Sequence, residues 1–267
     1  MTACIRSGFA ILSVIALASV GPAGEKTGSP SKPLPRLQLP EDIFAELVQE
    51  ANDKIAFQLK TPGLGQEHVR SQALLIALAA QHRMAHKQGD LRQLATLRDA
   101  AVRLARAADL DKPINEPEVR KQAHLLAQFP KLEPEPSASL ELFRLKGCFE
   151  QEDIDRHFGG WKFGSMIERD LMKLEKQKPP LTTDQLAKLE RIGYKVALLA
   201  ELLREFDDHI PPQKAAQRKE WVALATEVQY TAWDLAEQAR AGNGDMSHKS
   251  IVRINQACQT CHAKFRD

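Results

Sequence analysis

Two cysteines and a histidine close to the end of the chain constrain the fold more than any other feature. Cys258, Cys261 and His262 form the pattern Cys-x-x-Cys-His. This spacing attaches a c-type haem, because each thiol can form a thioether with a haem vinyl group and the adjacent imidazole can ligate the iron. The same residues are also compatible with a redox dithiol or with half of a zinc site. The surrounding sequence has to distinguish these three chemistries.

The residues around this motif predict a helix that carries both thiols on its core-facing side. Apolar residues and cysteines recur at steps of three and four positions, at Ile251, Ile254, Cys258, Cys261 and Phe265. A zinc ribbon would require a second pair of thiols, whereas the remaining cysteines, Cys4 and Cys148, are far apart. A thioredoxin-like dithiol would lie in a βαβ unit, and no strand-like alternation is visible here. The context therefore favours covalent haem.

The N-terminal segment predicts export. Arg6 precedes an apolar run over residues 9–20, and small residues around Ala23 suit cleavage, so residues 1–23 are interpreted as a signal peptide. The apolar run is shorter than the roughly 20 residues that cross a bilayer, and no membrane span is expected after cleavage. The Pro-rich residues 24–40 are interpreted as a linker. The expected location is the periplasm or another exported compartment.

The composition favours a helical protein without an obvious enzymatic motif. Aromatic residues make up only 6% of the chain, which favours helices with aliphatic cores over β-sandwiches. The formal charge of +2 gives no argument for binding nucleic acid. No Ser-His-Asp arrangement, Gly-rich phosphate loop or paired-carboxylate motif stands out, and a dihaem peroxidase would need a second Cys-x-x-Cys-His. The chain is therefore not expected to be an enzyme.

Helical periodicity and capping residues predict an all-α fold of two tandem four-helix bundles. In the first bundle, the first helix has the apolar stripe Ile43, Leu47, Val48, Ala51 and Ile55, and the run over residues 69–85 is apolar on most sides, as a buried helix would be. In the second bundle, the second helix has the stripe Leu186, Leu189, Ile192, Val196, Leu199, Leu203 and Phe206, and the third has Trp221, Leu224, Val228, Leu235 and Ala239. Predicted N-caps include Asp90, Asn115 and Thr182, the last in a capping box with Gln185. The predicted domains after the linker are a bundle without a haem motif over residues 41–130, a connector over 131–160, and a haem-binding bundle over 161–267. Short matches between the two halves suggest that residues 41–130 are a degenerate repeat without a haem site.

The final helix resembles a known family. Its end, Cys-Gln-Thr-Cys-His-Ala-Lys-Phe-Arg, is similar to the haem-attachment motif of the cytochrome c′ group of class II c-type cytochromes, which are four-helix bundles. The resemblance is specific over residues 246–267 and architectural over 160–245. It implies that His262 is the proximal iron ligand and that the first helix of the second bundle covers the other haem face. In some members an apolar residue closes that face, and in others a Met ligates the iron.

The sequence thus predicts an exported mono-haem c-type cytochrome that transfers single electrons to or from a redox partner protein. One covalent haem c is expected, and its candidate contacts are Cys258, Cys261, His262, Phe265, Arg266, Met166 and Met172. One alternative is a five-coordinate haem that binds a diatomic gas, NO or CO, for sensing or scavenging. Another is a helical module that docks a redox partner. A homodimer is expected only by analogy with the resembled family.

Overall fold

The described part of the chain is entirely helical, as the sequence predicts. The structure, a computed structural model, describes residues 37–60, 65–109, 115–159, 167–177, 179–206, 210 and 214–265. Within these ranges it has a 3-10 turn at Leu145–Gly147 and no strand. The α-helices are α1 (Glu41–Lys60), α2 (Gln66–Ala85), α3 (Leu91–Ala107), α4 (Glu116–Ala127), α5 (Gln151–Phe158), α6 (Ile167–Glu175), α7 (Thr183–Leu203), α8 (Ala215–Arg240) and α9 (Gly244–Phe265). The predicted signal peptide and nearly all of the linker lie outside the described residues.

None of the helices in these ranges is long and apolar enough to cross a membrane. Three of them begin at the predicted caps. The Asp90 side chain accepts hydrogen bonds from the amides of Arg92 and Gln93, and the Asn115 side chain accepts one from the amide of Glu118. Thr182 and Gln185 form the predicted capping box. These side chains satisfy amides that have no partner within the helix, which fixes where each helix starts.

The first four helices pack in sequence order. Each of α1, α2 and α3 contacts the next helix, and α1 also contacts α4. The predicted apolar stripe of α1 is buried, with its members at Ile43, Leu47, Val48, Ala51 and Ile55. Helix α2 is buried on most sides, as its apolar sequence predicts.

Helix α7 joins the two halves of the chain. It contacts α1 and α2 as well as α5, α8 and α9, so it is buried beyond the single stripe that its sequence predicts. The fully buried Tyr194 and the nearly buried Lys195 lie outside that stripe. The described residues belong to one compact unit. Two closely packed bundles would also form one unit, so the predicted domain boundaries stay a prediction.

Helices α7 and α8 approach each other closely at Gly193. A Cβ atom built at this position would lie 2.7 Å from the carbonyl oxygen of Ala232 and 2.8 Å from the amide nitrogen of Ala236. Real Cβ atoms do not approach backbone atoms so closely. Only glycine therefore permits the observed distance between the two helix backbones.

We predict that Gly193→Ala destabilises the protein although alanine is the better helix former. The added methyl group must push α7 and α8 apart, and overpacking of this kind costs about 1–3 kcal/mol. Urea unfolding should report the loss. The control is Gly147→Ala, because a Cβ atom there meets nothing within 4 Å. Equal stability of the Gly193 variant and the wild type would contradict the prediction.

Helix α5 lies in the segment predicted as a connector and was not expected. It is attached to α2 by buried polar contacts. The Arg70 Nε donates to Asp153 Oδ2 at 2.8 Å, and the His157 Nε2 lies 2.7 Å from the carbonyl oxygen and 3.0 Å from the hydroxyl of Ser71. Because the buried residues of this helix are partly polar, its sequence lacks the apolar stripe that marks the other helices.

Burial of His157 makes stability depend on pH. Burial, and to a smaller degree the charge of Lys195, lowers the pKa of His157 from 6.5 to about 3. As pH falls below the unfolded pKa, the unfolded chain binds this proton and the folded chain does not, so stability is lost. This histidine should contribute about 2 kcal/mol to the loss between about pH 7.5 and about pH 5.

Urea unfolding at several pH values checks this expectation. His157→Gln should flatten the acid side of the stability profile, since glutamine does not titrate and can still donate to the Ser71 carbonyl oxygen. The matched control is His124→Gln, because His124 is exposed on α4. An unchanged slope in the His157 variant would refute the prediction.

Candidate haem-attachment site

Helix α9 carries the motif as the periodicity predicts. Ile251 and Ile254 are buried, and further along the same stripe Cys258, Cys261 and Phe265 are partly buried against the core. The side chain of Asn243 accepts a hydrogen bond from the amide of Met246, which helps to start the helix. Both thiols therefore point toward the interior.

Both thiols and His262 line a single cavity at the end of α9. The cavity encloses about 840 Å³ of empty space, which includes open solvent. Ligand pockets in proteins are lined mostly by apolar and aromatic side chains with a few polar groups. The residue types around this cavity match that description, so the donor set and its surroundings fit a covalently attached haem.

Three other helices supply the walls of this larger cavity. The lining side chains are Gln151, Ile154, Asp155 and Phe158 of α5, Leu203 of α7, and Trp221, Leu224, Ala225 and Val228 of α8. The Trp221 Nε1 donates to the carbonyl oxygen of Leu203 at 3.0 Å, and its ring packs edge-on against Phe265 with centroids 5.4 Å apart. Beside this contact, Lys264 forms an ion pair with Glu220. Trp221 thus links the ends of α7, α8 and α9 at the site.

A second, smaller cavity lies on the α6 side of the motif. It holds about 490 Å³ of empty space, open solvent included, and is lined by Cys258, His262 and Phe158 together with Glu168, Leu171, Met172, Ile254, Asn255 and Gln259. Asn255 and His248 of α9 donate to Glu175 of α6, at 2.5 Å to its side chain and 2.9 Å to its carbonyl oxygen. Only one of the two thiols lines this cavity.

The predicted site residues fall into three groups. Cys258, Cys261, His262 and Phe265 meet at the larger cavity. Met172 lines only the smaller cavity, and 49% of its surface is exposed. Met166 and Arg266 lie outside the described residues. Sequence reasoning missed the walls contributed by α5, and no sequence signal marks them. For α8, the predicted apolar stripe included Trp221, Leu224 and Val228 but did not show that they line the site.

The protonation of the two thiols argues against a redox dithiol. Burial, the nearby Glu168 carboxylate and Cys261 together raise the pKa of Cys258 to about 12, and burial raises the pKa of Cys261. Reactive Cys-x-x-Cys pairs have lowered thiol pKa values, because the thiolate is the attacking species. Within the described ranges, no group of three or more His, Cys, Asp and Glu side chains could hold a metal ion.

Comparisons with known proteins gave no match, since no family model, curated protein or solved structure corresponds to this chain. The resemblance to class II c-type cytochromes therefore depends on the motif and its helical context.

We predict that Cys258 is protected from alkylation in protein produced without haem. At about pH 8, a pKa near 12 instead of 9 reduces the thiolate fraction about a thousandfold. Mass spectrometry of peptides after timed exposure to iodoacetamide should show slow labelling of Cys258. The same protein unfolded in urea is the control. Equally fast labelling of Cys258 in the folded and unfolded states would contradict the prediction that its thiol is protected.

Proposed function

We propose that this protein is an exported, mono-haem c-type cytochrome that carries single electrons. The observation that carries the proposal is that two thiols at haem-attachment spacing and the following imidazole line one largely apolar cavity. Cys258 and Cys261 would hold the haem through thioethers, and His262 would be the proximal iron ligand. When bound, the haem supplies the one-electron iron couple, while the protein adjusts its potential through ligation, burial and nearby charge.

The rest of the chain supports this role in two ways. Apolar side chains of α5 and α8 line the buried side of the attachment site, where they would limit the access of water to a bound haem. His262 is exposed on the other side, so the site lies at the surface, within reach of a redox partner protein. We further propose that α1–α4 and α6–α9 are two tandem bundles, the second of the cytochrome c′ type, behind a cleaved signal peptide and a Pro-rich linker.

A second candidate function is the binding of a diatomic gas such as NO or CO. Among the described residues that line the larger cavity, His262 is the only imidazole, and there is no Met or Lys. A haem held there by both thiols would find no second protein ligand in this lining, which favours an open sixth position. Met172, the alternative ligand, lines only the smaller cavity.

The decisive experiment is production in a host that attaches c-type haem, followed by mass spectrometry and absorption spectroscopy. We expect the mass of the polypeptide cleaved after its signal peptide plus one haem. Cys258→Ser and Cys261→Ser should each remove one thioether, and His262→Ala should change the spectrum because it removes the proximal ligand. Cys148→Ser is the matched control and should retain the haem. A colourless protein with the mass of the bare chain would refute the proposal.

The absorption spectrum of the ferrous protein, with and without carbon monoxide, then distinguishes the two functions. A low-spin spectrum that carbon monoxide leaves unchanged indicates a six-coordinate electron carrier. Rapid formation of a carbon monoxide complex indicates an open position and supports gas binding.

A further inference from the structure

Phe158, the last residue of α5, borders the attachment site on both sides. It lines the larger cavity and the smaller one, and among the described residues it shares both linings only with Cys258 and His262. Whichever cavity receives a group attached to α9, this aromatic side chain is next to it. In the part of the chain that the structure describes, no other residue outside α9 lines both cavities.

Polar contacts to α2 hold Phe158 in place. Arg70 and Asp153 pair at 2.8 Å, with 7% and 3% of their side chains exposed. One turn further along α5, His157 contacts Ser71. These contacts lie in the same two turns of α5 as Phe158, so they hold the α5 backbone at Phe158 against α2.

Helix α2 belongs to the half of the chain that has no haem-attachment motif. Its contact with α5 is thus a physical connection from the first four helices to the site on α9. A helix of eight residues has little stability of its own, since isolated helices shorter than about 12–15 residues are marginal in water. Helix α5 therefore depends on its neighbours for its position.

We propose that α2, through Arg70 and Ser71, positions Phe158 beside the haem, and that the Phe158 ring sets how readily a small ligand reaches the iron. This inference rests on the proposed function. It gives the first half of the chain a role, which is to hold one wall of a site in the second half. Phe158 acts by steric exclusion, and Asp153 and His157 are positioning residues.

The test is the rate at which carbon monoxide binds to the ferrous, haem-loaded protein, measured by stopped-flow absorption. Phe158→Ala should increase the rate about tenfold or more, because steric access to the open side of a haem governs ligand entry. Phe158→Leu should give a smaller increase in the rate, and it replaces the alanine variant in the test if that variant does not fold. Asp153→Asn weakens the contact to Arg70 and should shift the rate in the same direction.

Two control variants separate positioning from loss of stability. Glu152→Gln, like Asp153→Asn, removes one negative charge from α5, but at an exposed position. It should leave the rate of carbon monoxide binding unchanged. Phe143→Ala removes a partly buried ring that packs on Arg98, and should lower stability without changing the rate.

The outcomes distinguish a failure of the proposed function from a failure of the inference about Phe158. A wild-type protein without haem refutes the proposed function before any variant is made. If haem is attached but Phe158→Ala and Phe158→Leu bind carbon monoxide at the wild-type rate, the inference alone is wrong. If the wild type does not bind carbon monoxide, a gain of binding in Phe158→Ala supports the inference and its absence overturns it.

Discussion

The close approach of α7 and α8 at Gly193 is the contact on which the site depends. Both helices are long, and without a side chain at Gly193 their backbones pack directly against each other. The wall residues of α8 lie about one to three turns of helix from Ala232, which forms this contact, on the same rigid element. Trp221 lies near the N-terminal end of α8, where it donates a hydrogen bond to the last residue of α7 and packs against Phe265 of α9. The position of α9 relative to the cavity follows from these two contacts.

Polar pairs with one buried member connect the first half of the chain to the second. Lys195 of α7 lies 3.1 Å from Glu50 of α1, and His82 of α2 lies 2.9 Å from Glu201 of α7. Burial alone would raise the pKa of Glu50, but Lys195 and Lys54 lower it to about 2, so this carboxylate is charged at neutral pH. Such pairs contribute little net stability, whereas removal of one partner is costly. They therefore favour one arrangement of the halves over others.

Local features of the fold could be predicted from the sequence, and features that depend on distant residues could not. The caps at Asp90 and Thr182 and the stripe of α9 involve residues within one or two turns, so spacing alone reveals them. Helix α5 is different. Its buried Asp153 and His157 find their partners 83 and 86 positions earlier in the chain, in α2. Without those partners both residues are indistinguishable from surface residues of a polar connector.

The candidate site could likewise be predicted only in part from the sequence. The motif predicted which side chains could hold a haem, because two thiols and an imidazole at this spacing have few other uses. It contained no information about the walls, which come from α5 and α8. Nor could the stripe of α7 reveal that Lys195 is buried, since that requires knowing that α1 packs beside it.

The two cavities differ in how many thiols line them, and this difference indicates where a haem could be attached. Covalent attachment needs both sulfurs on the same group, and both line only the larger cavity. A ligand from Met172 would have to reach the iron from the smaller cavity, where Phe158 also lies. The motif itself is equally compatible with an electron carrier and a gas-binding protein. In a haem-loaded protein the wall beside the iron would therefore decide between them. By our proposal, one part of that wall is held by a helix from the half of the chain that lacks the motif.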